Sequence, residues 1–135
     1  MSQTFLGRAR IDIPATWEDQ SVITFVKGDA KTPMNFMLVR DNLGGQDVAS
    51  YARMQARALK KEIADYKLVS EDGTDSAYRM EHSFKAPEGN GRVHQIQVLR
   101  TAGDDVYCIN ITCASADVDA NRAEIDAIIS SFQVT

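Results

Sequence analysis

The chain has 135 residues, of which 44% are hydrophobic and 25% charged, with 15 basic and 19 acidic side chains giving a net charge of −4. That length suits one domain spanning 1–135, and a chain of this mass buries about two thirds of its unfolded surface, enough for a core without staples. Its composition excludes disorder. Its cations occur as short pairs along the sequence, Arg8 with Arg10 and Lys60 with Lys61. This pattern argues against nucleic acid and against docking on anionic lipid, both of which need a clustered positive field.

The amino-terminal run from Met1 to Arg8 lacks the apolar core of a secretory signal, and no stretch reaches the length of a membrane span. Cys108 and Cys113 stand five apart in one predicted strand, so they point to opposite faces and cannot bridge. Two buried, reduced thiols fit a cytoplasmic protein, which is the expected location.

In chain order, Phe5 to Ile13 alternates and stops at Pro14, as an edge strand does. A turn follows, in which Trp17 is expected to pack on the core. Ser21–Val26 and Met34–Arg40 are β-branched or aromatic runs that predict two more strands, separated by Lys27-Gly28-Asp29 and Pro33. Gly44 and Gly45 break the chain, and Asp47 then caps a helix running to about Asp65. Its stripe is Val48, Tyr51, Ala52, Leu59 and Ile63, with Gln55 on or beside it. A short strand near Lys67–Ser70 and an Asp72-Gly73 turn come next, then a strand over Ala77–Phe84. The Pro87–Gly91 loop leads into Val93–Arg100, which turns at Gly103 and returns as Val106–Ala114. A last helix over Asp117–Phe132 carries Val118, Ile125, Ile128, Ile129 and Phe132 on one side. Hairpin-linked strands with two amphipathic helices predict an α+β fold, an antiparallel sheet packed against those helices.

Period-two alternation divides the strands into two faces. Ile23, Phe25, Phe36, Leu38, Ile96, Val98, Ile109 and Ile111 form a uniformly apolar set expected beneath the helices. Val22, Thr24, Asn35, Met37, Val39, Gln95, Gln97, Cys108, Asn110 and Thr112 form a mixed set. Two readings fit it: a groove for an apolar segment that still needs hydrogen-bond partners, or a solvated sheet face.

The chemistry-bearing residues assemble no catalytic pattern. There are two histidines, His82 and His94, with no Gly-x-Ser-x-Gly nucleophile motif and no Gly-x-x-x-x-Gly-Lys phosphate loop. Cys108 and Cys113 lie mid-strand without an activating helix terminus. Two histidines alone make no zinc site. No catalytic residue, metal ligand or cofactor is expected.

Several features together resemble the DcrB-related family with a PsbP-like fold, and in particular the Eag-type chaperones of type VI secretion. They are Pro14-x-x-Trp17-x-Asp19-x-Ser21, the strand ending Val39-Arg40-Asp41, the helix with Tyr51 and Gln55, the Gln95-x-Gln97 strand, and the Val106-Tyr107 hairpin leading to Thr112. The resemblance runs across nearly the whole chain and implies an α/β/α sandwich. It also implies a small homodimer that shields the amino-terminal transmembrane helices of a PAAR-containing effector and helps load it on the secretion spike, without inserting into a membrane itself. Carried over by position, the effector-binding residues are Val22, Thr24, Asn35, Met37, Val39, Gln55, Gln95 and Gln97. Serine is expected at one or more of the positions held by Asn35 and Val39; Asn35 keeps a polar group there and Val39 does not. The alternatives are an accessory protein-binding role within the same fold and an enzyme with a small ligand in the groove.

Overall fold

The computed structural model describes residues 2–28, 34–74, 76–86 and 91–134. Strands β1 (Ser2–Leu6) and β2 (Ala9–Ile13) pair as an antiparallel hairpin forming a two-stranded sheet of its own. The expected single strand over Phe5–Ile13 is broken because Gly7 adopts φ 57°, a left-handed turn conformation that glycine tolerates. The turn at Pro14 is closed by the Trp17 amide donating to the Pro14 carbonyl at 3.0 Å. The indole does not pack on the core, as 68% of Trp17 is exposed.

The main sheet has six antiparallel strands in the order β3 (Val22–Lys27), β4 (Met34–Asn42), β8 (Asp105–Ala114), β7 (Arg92–Ala102), β6 (Ala77–Lys85) and β5 (Lys67–Gly73). β5 continues through Asp72 and Gly73, where a turn was expected, and Gly73 lies opposite Tyr78. A Cβ at Gly73 would fall 2.1 Å from the Tyr78 ring, so only glycine admits that ring. Of the expected Pro87–Gly91 loop, all but Gly91 lies outside the described residues, as do Asp29 and Pro33.

Helix α1 (Val48–Glu62) starts where the Asp47 carboxylate accepts from the Ser50 amide at 2.7 Å. It ends on Lys60 and Lys61, which oppose the negative end of the helix dipole. Beyond it Asp65 takes φ 57°, held by Arg92 bonds to its carboxylate (2.5 Å) and carbonyl (2.8 Å). Helix α2 (Val118–Ser131) follows a short 3-10 turn over Ser115–Asp117.

The two helices take opposite faces of the sheet. α2 seats Val118, Ile125 and Ile129 on Ile96, Val98, Ile109, Ile111, Met34 and Cys113, with Phe36, Leu38, Ile128 and Phe132 at the margin. α1 seats Val48, Tyr51 and Ala52 on Tyr78, Met80, Leu99, Val106, Cys108 and Leu43. The expectation that the uniformly apolar set lies beneath both helices is therefore corrected. One end of the mixed face, at Cys108, Leu99 and Met80, is apolar enough to seat α1's short stripe. Each fully buried aliphatic side chain in these layers contributes about 1.5–3 kcal/mol. Ile23 and Phe25 also depart from the expectation. β3 is an edge strand at the margin of the α2 layer, where Lys27 reaches Glu124 of α2 while 66% of Phe25 stays exposed.

Candidate functional site: the half-covered sheet face

Strand register arranges the mixed face in three cross-strand rows. The first runs Val22, Val39, Cys108, Leu99, Tyr78. The second runs Thr24, Met37, Asn110, Gln97, Met80, and the third Val26, Asn35, Thr112, Gln95, His82. α1 lies over the β6–β7–β8 end of the first two rows. The β3–β4 side and the far end of β7 and β8 carry no helix, leaving a strip of exposed or half-buried residues.

All eight sequence-predicted site residues come to this face. Val22, Thr24 and Asn35 are exposed, while Met37, Val39 and Gln95 are half-buried. Gln95 reaches Thr112 across the strands, amide nitrogen to hydroxyl oxygen at 3.5 Å. Gln55 enters from α1 and meets Gln97, which is only 5% exposed. Those two amides thus lie under the helix edge, as the inner wall of the strip rather than its open floor. Asn110 and Thr112, half-buried on β8, complete the strip between Met37, Asn35 and the two β7 glutamines. They alternate with Ile109 and Ile111, and that alternation was the available signal for them.

Beneath α1 the polar groups form one directional chain. Tyr66 Oη lies 2.5 Å from His82 Nδ1, and His82 Nε2 lies 3.1 Å from Gln97 Oε1. Gln97 Nε2 donates to Gln55 Oε1 at 2.5 Å, Gln55 Nε2 donates to Tyr51 Oη at 2.8 Å, and Tyr51 donates to Asp41 Oδ2 at 2.5 Å. Because Gln97 offers His82 its carbonyl oxygen, His82 must carry its proton on Nε2 and accept from Tyr66 on Nδ1. The neutral imidazole therefore satisfies every link, with the donors ending on a carboxylate. Burial pushes the His82 pKa down, favouring that neutral form. Burial, aided by the Asp41 carboxylate, pushes Tyr51 up and keeps its proton in place.

The α2 face holds a different polar group. Buried Glu81 accepts both guanidinium nitrogens of Arg122, at 3.1 and 3.2 Å, and meets His94 Nε2 at 2.7 Å. Arg79 Nη2 stands 3.6 Å away. Burial works to raise the Glu81 pKa, but the Arg122 and His94 hydrogen bonds and charges together outweigh it and leave the carboxyl below its ordinary range. Arg122 and His94 are bound to Glu81 while Arg79 donates to Asp126 at 3.2 Å, so the cluster ties α2 to β6 and β7. Burial pushes the Cys108 thiol up to about 11 and also raises Cys113, the opposite of what a reactive nucleophile requires. Among the described residues no group of three or more His, Cys, Asp or Glu is placed to hold a metal ion. None of the described helices is long and apolar enough to cross a membrane.

An antiparallel sheet with one helix on each face, in this strand order, places the chain in the PsbP-like class of α+β folds. The solution structure of cyanobacterial PsbP (CyanoP) from Synechocystis sp. PCC 6803 matches over 93% of this chain and 99% of its own, with a TM-score of 0.60 at 10% identity. The crystal structure of PA94 from Pseudomonas aeruginosa, a protein of unknown function, matches over 100% of this chain and 97% of its own, with a TM-score of 0.81 at 20% identity. The chain belongs to the DcrB family, whose family model matches residues 9–131. No curated protein matches it.

Proposed function

We propose that this DcrB-family chain is an adaptor-chaperone without catalytic activity. It receives the amino-terminal transmembrane helices of a PAAR-containing type VI secretion effector on the half-covered sheet face, shields them from water in the cytoplasm, and promotes loading on the secretion spike. The observation that carries this reading is the uncovered strip. It sets the side chains of Met37, Val39 and Val22 beside hydrogen-bonding groups of Asn35, Asn110, Thr112 and Gln95 on one rigid face. Membrane helices associate through close packing supplemented by interhelical hydrogen bonds, and the strip offers both kinds of contact. Gln55 and Gln97 form the inner wall, where α1 closes the strip. The exposed apolar edge at Val22, Ile23, Phe25 and Val26 fits a homodimer in which a second copy extends the same surface.

The test is co-expression with the apolar amino-terminal segment of a PAAR-containing effector encoded in the same genome, followed by affinity capture. The wild-type chain is expected to retain the segment and keep it in the supernatant. Met37→Asp, which places a charge in the middle of the strip, is expected to lose it while keeping the wild-type circular dichroism spectrum. A folded Met37→Asp protein that captures the segment as well as wild type does would overturn the assignment.

A further inference from the structure

Four cations fall within nine residues of α1, which corrects the expectation from sequence that the basic side chains form only isolated pairs and no clustered positive field. Arg53, Arg57, Lys60 and Lys61 are all exposed on the side of the helix opposite its buried stripe of Val48, Ala52 and Tyr51, and cover about 12 Å of its length. α1 contributes +3, four cations against Glu62, to a chain whose total is −4, so the remainder stands at −7. The other charged side chains on this face are occupied nearby. Asp41 accepts from Tyr51, Asp47 caps the helix, and Glu71 accepts from Tyr78, beside which Arg53 lies. Among the described residues none of the four cations forms a salt bridge. By contrast Asp119, Glu124 and Asp126 of α2 pair with Arg122, Lys27 and Arg79. The α1 side therefore carries a basic ridge without salt bridges, whereas the α2 acids are matched by cations. The uncovered strip opens on the basic side.

We propose that the α1 ridge is an electrostatic docking surface for an anionic phospholipid bilayer, which turns the strip toward the membrane without inserting into it. A planar anionic surface suits exposed cations carried along one side of a helix, with Arg57, Lys60 and Lys61 facing outward and Arg53 at the margin beside Tyr78. This deepens the proposed chaperone reading by giving the strip a direction, but it rests on charge placement alone. Each cation contributes about a five-fold gain in partitioning, the equivalent of about 1 kcal/mol per Lys or Arg at an anionic surface.

The experiment is co-sedimentation of the full chain with vesicles of phosphatidylcholine alone or mixed with phosphatidylglycerol at low ionic strength. Expected are binding to the mixed vesicles only, its loss in high salt, and at least a hundred-fold weakening in the Arg53→Gln, Arg57→Gln, Lys60→Gln, Lys61→Gln variant. If that variant does not fold, Arg57→Gln with Lys60→Gln is expected to weaken binding about 25-fold. No sedimentation with anionic vesicles, equal binding to phosphatidylcholine alone, or undiminished binding by a folded ridge variant would each overturn the proposal. Capture by polyglutamate resin without vesicle binding would overturn it in favour of an acidic protein partner. Met37→Asp, which adds one acid to the face turned toward the vesicle, is expected to weaken vesicle binding by no more than about five-fold, and the ridge variant to capture the effector segment, so the two readings fail separately.

Discussion

The two faces of the sheet are closed by different physics. On the α2 face, aliphatic side chains interlock around Ile125, and Glu81, the one buried carboxylate among the described residues, is held within hydrogen-bond distance by Arg122 and His94. On the α1 face a shorter apolar contact is supplemented by a chain of neutral polar groups ending on Asp41, and the remainder of the face stays open. A face filled with branched aliphatics gains most by full cover. A face carrying Asn35, Asn110, Thr112 and Gln95 would lose hydration under a helix that offered those groups no partners.

The largest expected effect tests the apolar side of that contrast. Ile125→Ala opens a cavity in the α2 layer and is expected to cost about 2–5 kcal/mol in denaturant unfolding. A loss below about 1 kcal/mol would mean that α2 is loosely seated. On the other face, Gln97→Leu leaves the Gln55 carbonyl and the His82 N–H without partners beneath α1, at an expected cost of about 1–3 kcal/mol. Adding Gln55→Leu is expected to cost less than the sum of the two single changes, because the amides are already uncoupled. Strict additivity would show that the polar chain does not act as a unit.

Acidification separates the faces by pH window. The folded pKa of His82 lies below its ordinary 6.5, so the unfolded chain takes up its proton first. The stability from neutral His82 is present above about 6.5 and is lost as pH falls from there toward the folded value. The Glu81 pKa is lowered from 4.5, so its contribution is present above about 4.5 and is lost as pH falls through the folded value. Unfolding free energy measured against pH is thus expected to decline in two stages, and His82→Asn is expected to remove the upper one only. A single decline beginning near 4.5 would contradict the buried neutral histidine. The smallest effect belongs to the open strip. Thr24→Ala, on an exposed edge-strand position, is expected to change stability by no more than about 0.5 kcal/mol.

Much of this arrangement was legible in the sequence. The helices, the hairpin-linked strands and the division of each strand into apolar and mixed faces follow from periodicity, because a strand's side chains must alternate and a helix's must recur every three or four residues. The opposite facing of Cys108 and Cys113 follows from the same geometry. Misread segments trace to single conformational choices. Gly7 turns what alternates like one strand into a hairpin, and Trp17 looks like core from its chemistry but sits on a turn that closes through its backbone.

What sequence alone determined was which residues share a face. Only the tertiary structure decided what covers that face. Placing α1 and α2 on opposite sides depends on how the layers satisfy one another in three dimensions, which local spacing does not encode. The same holds for the register that brings Gln55 of α1 against Gln97 of β7, 42 positions apart. The α1 ridge has this origin too. Arg53, Arg57, Lys60 and Lys61 form a surface because burial of the opposite stripe fixes which side of the helix meets solvent.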